Sequence, residues 1–233
     1  MESIVSLIIP AYNEEKSIQE VITRCSQTMD KLSVPYEIIV INDGSTDSTA
    51  EVARQSSLHV TVISNKRNCG KGYSIRKGVD SSRGSIILML DSDGEHNPRE
   101  IPSLLSPVLK GVDIVAGSRF LQRKEPVTTK LNSIGNFFFN LSIMILTGRR
   151  VSDSQTGFRA MKRDVFERMN LQSDGYEIET EITVKSLLNG FSFLEVPVRI
   201  TRRRHSVSKI KILPDSKRIM TTLIKASLTD VDR

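Results

Sequence analysis

The feature that most constrains this chain is an alternation across its first half. Short β-branched or apolar runs, each bounded by turn residues or charge, are separated by segments whose apolar residues recur at helical spacing. The runs 4–9, 37–41, 60–64, 85–90 and 113–116 predict five strands. Between the first four, 17–32 places Ile18, Val21, Ile22, Cys25 and Met29 on one face, and 46–54 and 74–82 follow the same spacing. Such a sequence predicts an α/β fold, a mostly parallel sheet flanked by helices. Ligands of these sheets bind beyond the carboxyl ends of the strands. That rule selects three polar loops: PAYNEE after the first strand, NDGSTD after the second and DSDGEH after the fourth.

The second half is less regular. A polar loop over 121–129 leads into 134–147, a strongly apolar segment in which Phe137, Phe138 and Phe139 precede Ile143, Met144, Ile145 and Leu146. A helix this apolar requires a partner surface: the core, a second copy of the chain, or a membrane headgroup layer. Next come a loop at 152–156, helical stretches at 163–169 and 177–188, and a strand at 191–200. The tail, 215–228, sets Ile219, Met220, Leu223 and Ile224 beside Lys217, Arg218 and Lys225. One domain over 1–210 with an amphipathic appendage over 211–233 is the economical division.

With 233 residues, 38% of them hydrophobic, the chain can bury a proper core, which excludes disorder as its main state. A formal charge of +6 and a pI near 9.4 suit an anionic partner: a nucleotide, a phospholipid headgroup or nucleic acid. Nucleic acid is the poorest of these, because the chain has no Trp, only 5% aromatic residues and no known binding motif beside the run Arg202–Arg204. Cys25 and Cys69 fit neither a metal-ligand spacing nor a disulfide scaffold, so a reducing compartment is expected. The N-terminal apolar run has no basic leader and reads as a strand, which predicts a cytoplasmic protein. No stretch reaches the roughly 18 apolar residues of a spanning helix.

The motifs carry the chemistry. Asp91 and Asp93, directly after an apolar run, can hold a divalent cation against a diphosphate, although a D-x-D pair is also a common solvated turn. Glu95 follows as a third oxygen ligand, with His96 as second choice. In NDGSTD, Asn42 and Asp43 stand at a strand end, Gly44 allows a tight turn, and Ser45 or Thr46 can cap the next helix. Asp43 is equally suited to that turn and to a base or ribose. Gly70-Lys71-Gly72 precedes a helix, so its backbone could approach phosphate while Lys71 supplies charge, but it lacks the P-loop pattern.

The ordered set PAYNEE, NDGSTD, GKG, DSDGEHNP, GSRF, DSQTGFRA and EVPV resembles the inverting family-2 glycosyltransferases of GT-A fold. The likeness extends from Ile4 to about Lys209 and is strongest to polyprenyl-phosphate and dolichyl-phosphate mannosyl- and glucosyltransferases. The resemblance implies transfer of mannose or glucose from GDP-mannose or UDP-glucose to a polyprenyl or dolichyl phosphate, with Mg²⁺ or Mn²⁺, at a membrane surface. It implies a nucleotide pocket of Pro10, Tyr12, Glu14, Asn42, Asp43, Lys71, Gly72, Asp91 and Ser92. Asp91, Asp93 and Glu95 would hold the metal, with Asp93 and Arg119 central to catalysis. Arg119, Lys130, Ser133, Arg203 and His205 would address the acceptor phosphate. Aspartate is more usual where this chain has Asn42, and Ser206 replaces a glycine of the relatives' R-x-x-G-x-S-K element. The alternative is a family-2 enzyme acting on a hydroxyl in a soluble glycan or glycoconjugate, for which Asp153 or Glu179 would be the general base, unless these are carboxylates of a loop or a helix surface.

Overall fold

A computed structural model describes residues 4–57, 59–121, 130–200 and 221, and within 130–138 the backbone alone. The elements run β1 (Val5–Ala11), α1 (Ile18–Leu32), β2 (Tyr36–Asn42), α2 (Thr49–Gln55), β3 (Val60–Ser64), α3 (Lys71–Asp80) and β4 (Ile86–Met89). A 3-10 turn (Pro98–Glu100) leads into α4 (Ile101–Leu109) and β5 (Ile114–Ser118). Then follow α5 (Lys130–Thr147), β6 (Arg159–Lys162), α6 (Arg163–Arg168), α7 (Ile178–Leu188) and β7 (Phe193–Pro197).

The sheet order is β3-β2-β1-β4-β6-β5-β7. The first four strands pair in parallel, β6 runs antiparallel to both β4 and β5, and β7 lies parallel to β5. This is the α/β, mostly parallel, helix-flanked sheet that the alternation predicts. Pairing continues through Pro10 to Ala11, past the proline at which the apolar run stops, because Pro10 lies opposite Ile41 within the parallel ladder.

Strand pleating divides the core between the two faces. Val5, Leu7 and Ile9 of β1 join α1 and α4 through Ile18, Ile22, Met29, Leu104 and Leu105. Ile8 points the other way, to Ile75 and Val79 of α3, Phe166 of α6 and Ile178 and Ile182 of α7. A smaller cluster joins Ile143 of α5 to Val151 and to Val184 and Leu187 of α7, with Phe139 and Leu146 packed against it. Half of the strongly apolar segment thus has its partner within the chain. Ile145, on the opposite side of α5, is 76% exposed. Among the described residues, no helix is long and apolar enough to cross a membrane.

Two sequence expectations are corrected. Helix α2 begins at Thr49 after Ser48, so neither Ser45 nor Thr46 is its N-cap. Both instead meet Asn13: Ser45 Oγ accepts from the Asn13 N–H at 2.9 Å, and Asn13 Oδ1 accepts from the Thr46 N–H at 2.8 Å. Asp153 and Glu179 are not surface carboxylates, since both are buried. Of the tail expected over 211–233, Thr221 alone is among the described residues.

Candidate active site

Strands β2 and β3 extend the sheet on one side of β1 and β4 on the other, so the order reverses between β1 and β4. At such a switch point the helix connections leave in opposite directions and open a crevice beyond the strand ends. PAYNEE and DSDGEH leave the sheet there, and NDGSTD leaves β2 beside them. The first and second loops are laced together: besides the Asn13 contacts, the Glu14 N–H donates to Thr49 Oγ1 at 2.8 Å and the Ser48 N–H to Glu15 Oε2 at 3.1 Å. Pro10 and Tyr12 are half-buried, and Glu14 is buried with Oε2 accepting from the Ser17 hydroxyl at 2.8 Å.

Asn42 and Asp43 are both buried. Asn42 Oδ1 accepts from the Ser45 N–H and its amide donates to Ser64 Oγ, both at 3.2 Å. Asp43 Oδ1 accepts from Asn65 Nδ2 at 2.7 Å and from the Cys69 N–H at 2.9 Å, while Oδ2 accepts from the Gly70 N–H at 2.8 Å. Asp43 thus holds the 65–70 loop. The glycines flanking Lys71 are closely packed. A Cβ on Gly70 would stand 2.3 Å from the Asp174 carbonyl, and one on Gly72 would stand 2.1 Å from that of Ser173. Their missing side chains admit the 173–174 backbone.

Lys71 itself turns into the crevice. Its ammonium is ion-paired with Asp91 Oδ1 and, at 2.5 Å, with Glu179 Oε1. Burial disfavours the charge, but the two carboxylates outweigh it and raise the lysine's pKa. On Glu179, burial pushes the carboxyl upward and Lys71 pulls it back. A Cβ on Gly157 would lie 2.7 Å from the Lys71 nitrogen and 2.8 and 2.9 Å from the Asp91 oxygens, so a side chain there would push the ends of this ion pair aside.

In DSDGEH the side chains alternate. Asp91 and Asp93 are partly exposed, whereas Ser92 between them is buried. Asp93 Oδ1 accepts from the Glu95 N–H at 2.9 Å across Gly94, whose φ is +76°. His96 is buried, its ring 5.1 Å from that of Phe158, and its Nδ1 accepts from the Asp91 N–H at 3.5 Å. Burial lowers its pKa, against the opposing carboxylates of Asp91 and Asp93. Hard carboxylate oxygens at a partly exposed strand end suit Mg²⁺ or Mn²⁺. Among the described residues, no three His, Cys, Asp or Glu side chains form a ready cage. A dication shared between one or two carboxylates and a substrate diphosphate needs none.

Arg119 forms the far wall. Its Nε donates to Asp153 Oδ2 at 2.7 Å and an Nη to Oδ1 at 2.8 Å, a bidentate fork, and its backbone N–H adds a third bond at 3.1 Å. Burial works against the guanidinium charge; Asp153, with Glu95 and Asp91 in its field, more than restores it. Asp153 is placed in turn by Glu195 of EVPV, which accepts from its N–H at 2.9 Å and from the Ser152 N–H and hydroxyl, each at 2.8 Å. Beneath them lies Arg159, wholly buried, donating to the carbonyls of Thr156 and Ser154 at 2.9 Å, its pKa lowered by burial to about 10. The roles of Glu195, Arg159 and Gly157 were not read from the sequence; the signal was their place inside recurring motifs. The side chains of Lys130 and Ser133, and Arg203 and His205 altogether, lie outside the described residues. Ile200 bridges to His96, so the chain passes from the described region beside the acidic motif.

Comparison with known proteins identifies the family. The model for "Glycosyl transferase family 2" matches residues 6–169. The glycosyltransferase AglJ of Haloferax volcanii is 36% identical over 194 residues, 83% of this chain and 61% of that protein. A dolichol-phosphate mannosyltransferase of Pyrococcus furiosus is 32% identical over 213 residues, 89% of this chain and 59% of that one. The chain thus spans about three fifths of the length of these two relatives. A glucosyl-3-phosphoglycerate synthase from Mycobacterium tuberculosis, solved with Mn²⁺, UDP and phosphoglyceric acid, superposes with a TM-score of 0.76 at 21% identity, covering 97% of this chain and 78% of that one. That likeness concerns the fold. With a GT-A sheet, an acidic motif at its switch point and a family match over most of its length, this chain belongs to glycosyl transferase family 2.

Proposed function

We propose that the chain is an inverting, metal-dependent hexosyltransferase that moves mannose or glucose from GDP-mannose or UDP-glucose to a polyprenyl or dolichyl phosphate, working in the cytoplasm at a membrane surface. The observation that carries the reading is that Arg119, half-buried and forked onto Asp153, stands in the field of Asp91 and Glu95 of the acidic motif. Names of relatives such as the dolichol-phosphate mannosyltransferase support the substrate class. Asp91 and Asp93, with Glu95, would hold Mg²⁺ or Mn²⁺. When bound, the dication supplies Lewis-acid stabilisation of the departing nucleoside diphosphate.

The chain's own residues do the rest. A phosphate monoester, with a second pKa of about 6, is already ionised at neutral pH, so no base need create the nucleophile. The site must bring two anions together and align them. Arg119, held rigid by Asp153, offers a fixed positive charge on the acceptor side, and Lys71 offers a second on the donor side. A hydroxyl acceptor would instead require a base, yet both oxygens of Asp153 are engaged by Arg119 and Glu179 lies buried under Lys71. This supports the lipid-phosphate reading over the hydroxyl one.

The test incubates purified protein with Mg²⁺ or Mn²⁺, a short polyprenyl phosphate and each common labelled nucleotide sugar, scoring label in the lipid phase. Lipid-phase label from one donor is expected. Asp93→Asn, which keeps shape but removes charge, should lower that transfer on the order of 10²-fold with an unchanged thermal unfolding profile. Label entering only soluble hydroxyl acceptors would overturn the assignment.

A further inference from the structure

Lys71 has two carboxylate partners of unlike character. The Asp91 side chain is 27% exposed at the crevice mouth, whereas that of Glu179 is 3% exposed. Among the described residues, neither oxygen of Glu179 accepts a geometrically regular hydrogen bond and Arg159 Nη1 donates none, so the Lys71 ammonium at 2.5 Å is the close ion-pair partner of this buried carboxylate. A buried carboxylate that loses its ion-pair partner is strongly destabilised, whereas a partly exposed one can take water or another cation instead. The ammonium is therefore bound durably to Glu179 and replaceably to Asp91. Gly157 keeps the space over both groups clear, since any Cβ there would press on the nitrogen and on both Asp91 oxygens.

We propose that Lys71 is an exchangeable counter-ion of the donor site: it neutralises Asp91 in the donor-free protein and pivots on Glu179 onto the diphosphate when nucleotide and dication arrive together. The proposal rests on Asp91 being a metal ligand. A dication arriving alone meets a carboxylate already neutralised, with a positive charge next to it. A nucleoside diphosphate draws that charge away and exposes the oxygen. Cation and nucleotide then strengthen each other's binding by one common factor, as linkage requires. Part of that factor comes from the diphosphate's own oxygens on the metal; the remainder is assigned to Lys71. A lysine that never left Asp91 would weaken the cation equally with and without nucleotide, and would leave the factor unchanged.

The experiment titrates Mn²⁺ into the full chain, following free Mn²⁺ by electron paramagnetic resonance, without nucleotide and with saturating GDP or UDP. Wild type should bind Mn²⁺ weakly alone and much more tightly with one of the nucleotides. Lys71→Gln should raise the nucleotide-free affinity about tenfold and shrink the coupling factor by a similar amount. Glu179→Gln, nearly isosteric, removes the pivot and leaves Lys71 to Asp91, so it should lower the nucleotide-free affinity and also shrink the coupling. This second variant decides the matter if the first does not fold. Wild-type coupling that persists undiminished in both variants overturns the proposal, as does tight Mn²⁺ binding by wild type without nucleotide. Wild type that binds no Mn²⁺ under any of these conditions overturns the metal assignment itself, a different and separable failure.

Discussion

The carboxylate of Glu195 gathers three donors from Ser152 and Asp153, and so fixes the loop from which Asp153 grips Arg119. Removing it leaves those donors unmet and lets the fork move, and small misplacements of a charge aimed at a reacting group are costly. Glu195→Ala should therefore raise KM for polyprenyl phosphate about tenfold while calorimetric nucleotide affinity changes by less than about twofold. Arg119→Ala should do the same more severely. Glu195→Gln should recover part of the loss, since its amide keeps one acceptor but sets an NH₂ against a backbone N–H. A comparable loss of nucleotide affinity would show that the loop serves the donor instead. The sequence displays Asp91 and Asp93 because two acids directly after an apolar run put negative charge at a strand end, where sheet packing has no use for it. It does not display the clamp on the 65–70 loop at Asp43, because that partner lies more than twenty residues away, and spacing encodes only local neighbours. Glu195 and Arg159 carry no local sign of burial in the sequence; only the fold reveals their buried donors and acceptors.

Helix α5 presents two apolar residues two positions apart with opposite fates. Ile143 is fully buried against Val184 and Leu187, whereas Ile145 projects outward near the exposed Arg149 and Arg150. Ile143→Ala should cost about 3 kcal/mol in denaturant unfolding, as a cavity-forming truncation. Ile145→Ser should leave stability within about 0.5 kcal/mol and instead reduce sedimentation with anionic vesicles, most visibly at low salt. Unchanged vesicle binding in the folded Ile145→Ser protein would remove this helix from the membrane contact. The apolar content of α5 was plain in the sequence, but its division into a docked and an open side was not, because the segment is apolar nearly all round. Elsewhere, strands written as continuous apolar runs, such as β1 and β2, were legible within two residues. Helix α4 carries Pro102 at its start and Pro107 inside, which mask its periodicity. Strand β6, Arg-Ala-Met-Lys, has no apolar run at all.

Over the whole molecule, the alternation foretold a parallel sheet but not the reversed strand within it, because direction depends on how the chain returns from α5. The seam so made is tied by Asp113, just before β5. Its Oδ1 accepts from Lys162 of β6 at 2.7 Å, and its Oδ2 accepts from the Ser192 N–H and hydroxyl, before β7, at 2.9 and 2.8 Å. Burial would raise this carboxyl, but the bonds from Lys162 and Ser192 outweigh it and the pKa falls below its ordinary value. A lowered acid contributes stability above its unfolded pKa and loses it as pH falls through the folded one. Asp113→Asn should thus cost about 1 kcal/mol at pH 7, with the gap to wild type closing below about pH 4. A gap that does not change with pH would assign the effect to shape rather than charge. The same reversed strand also imposes an order in time. β4 and β5 are joined only through β6, whose first residue follows the end of β5 by about 40 positions. At roughly 5–20 residues per second, a nascent chain waits several seconds with the flanks of both strands unsatisfied. Gly157, Asp153 and Glu179 emerge in or after that interval, so Lys71 and Arg119 are made well before the groups that hold them. The crevice can assume its working form only once the sheet has closed.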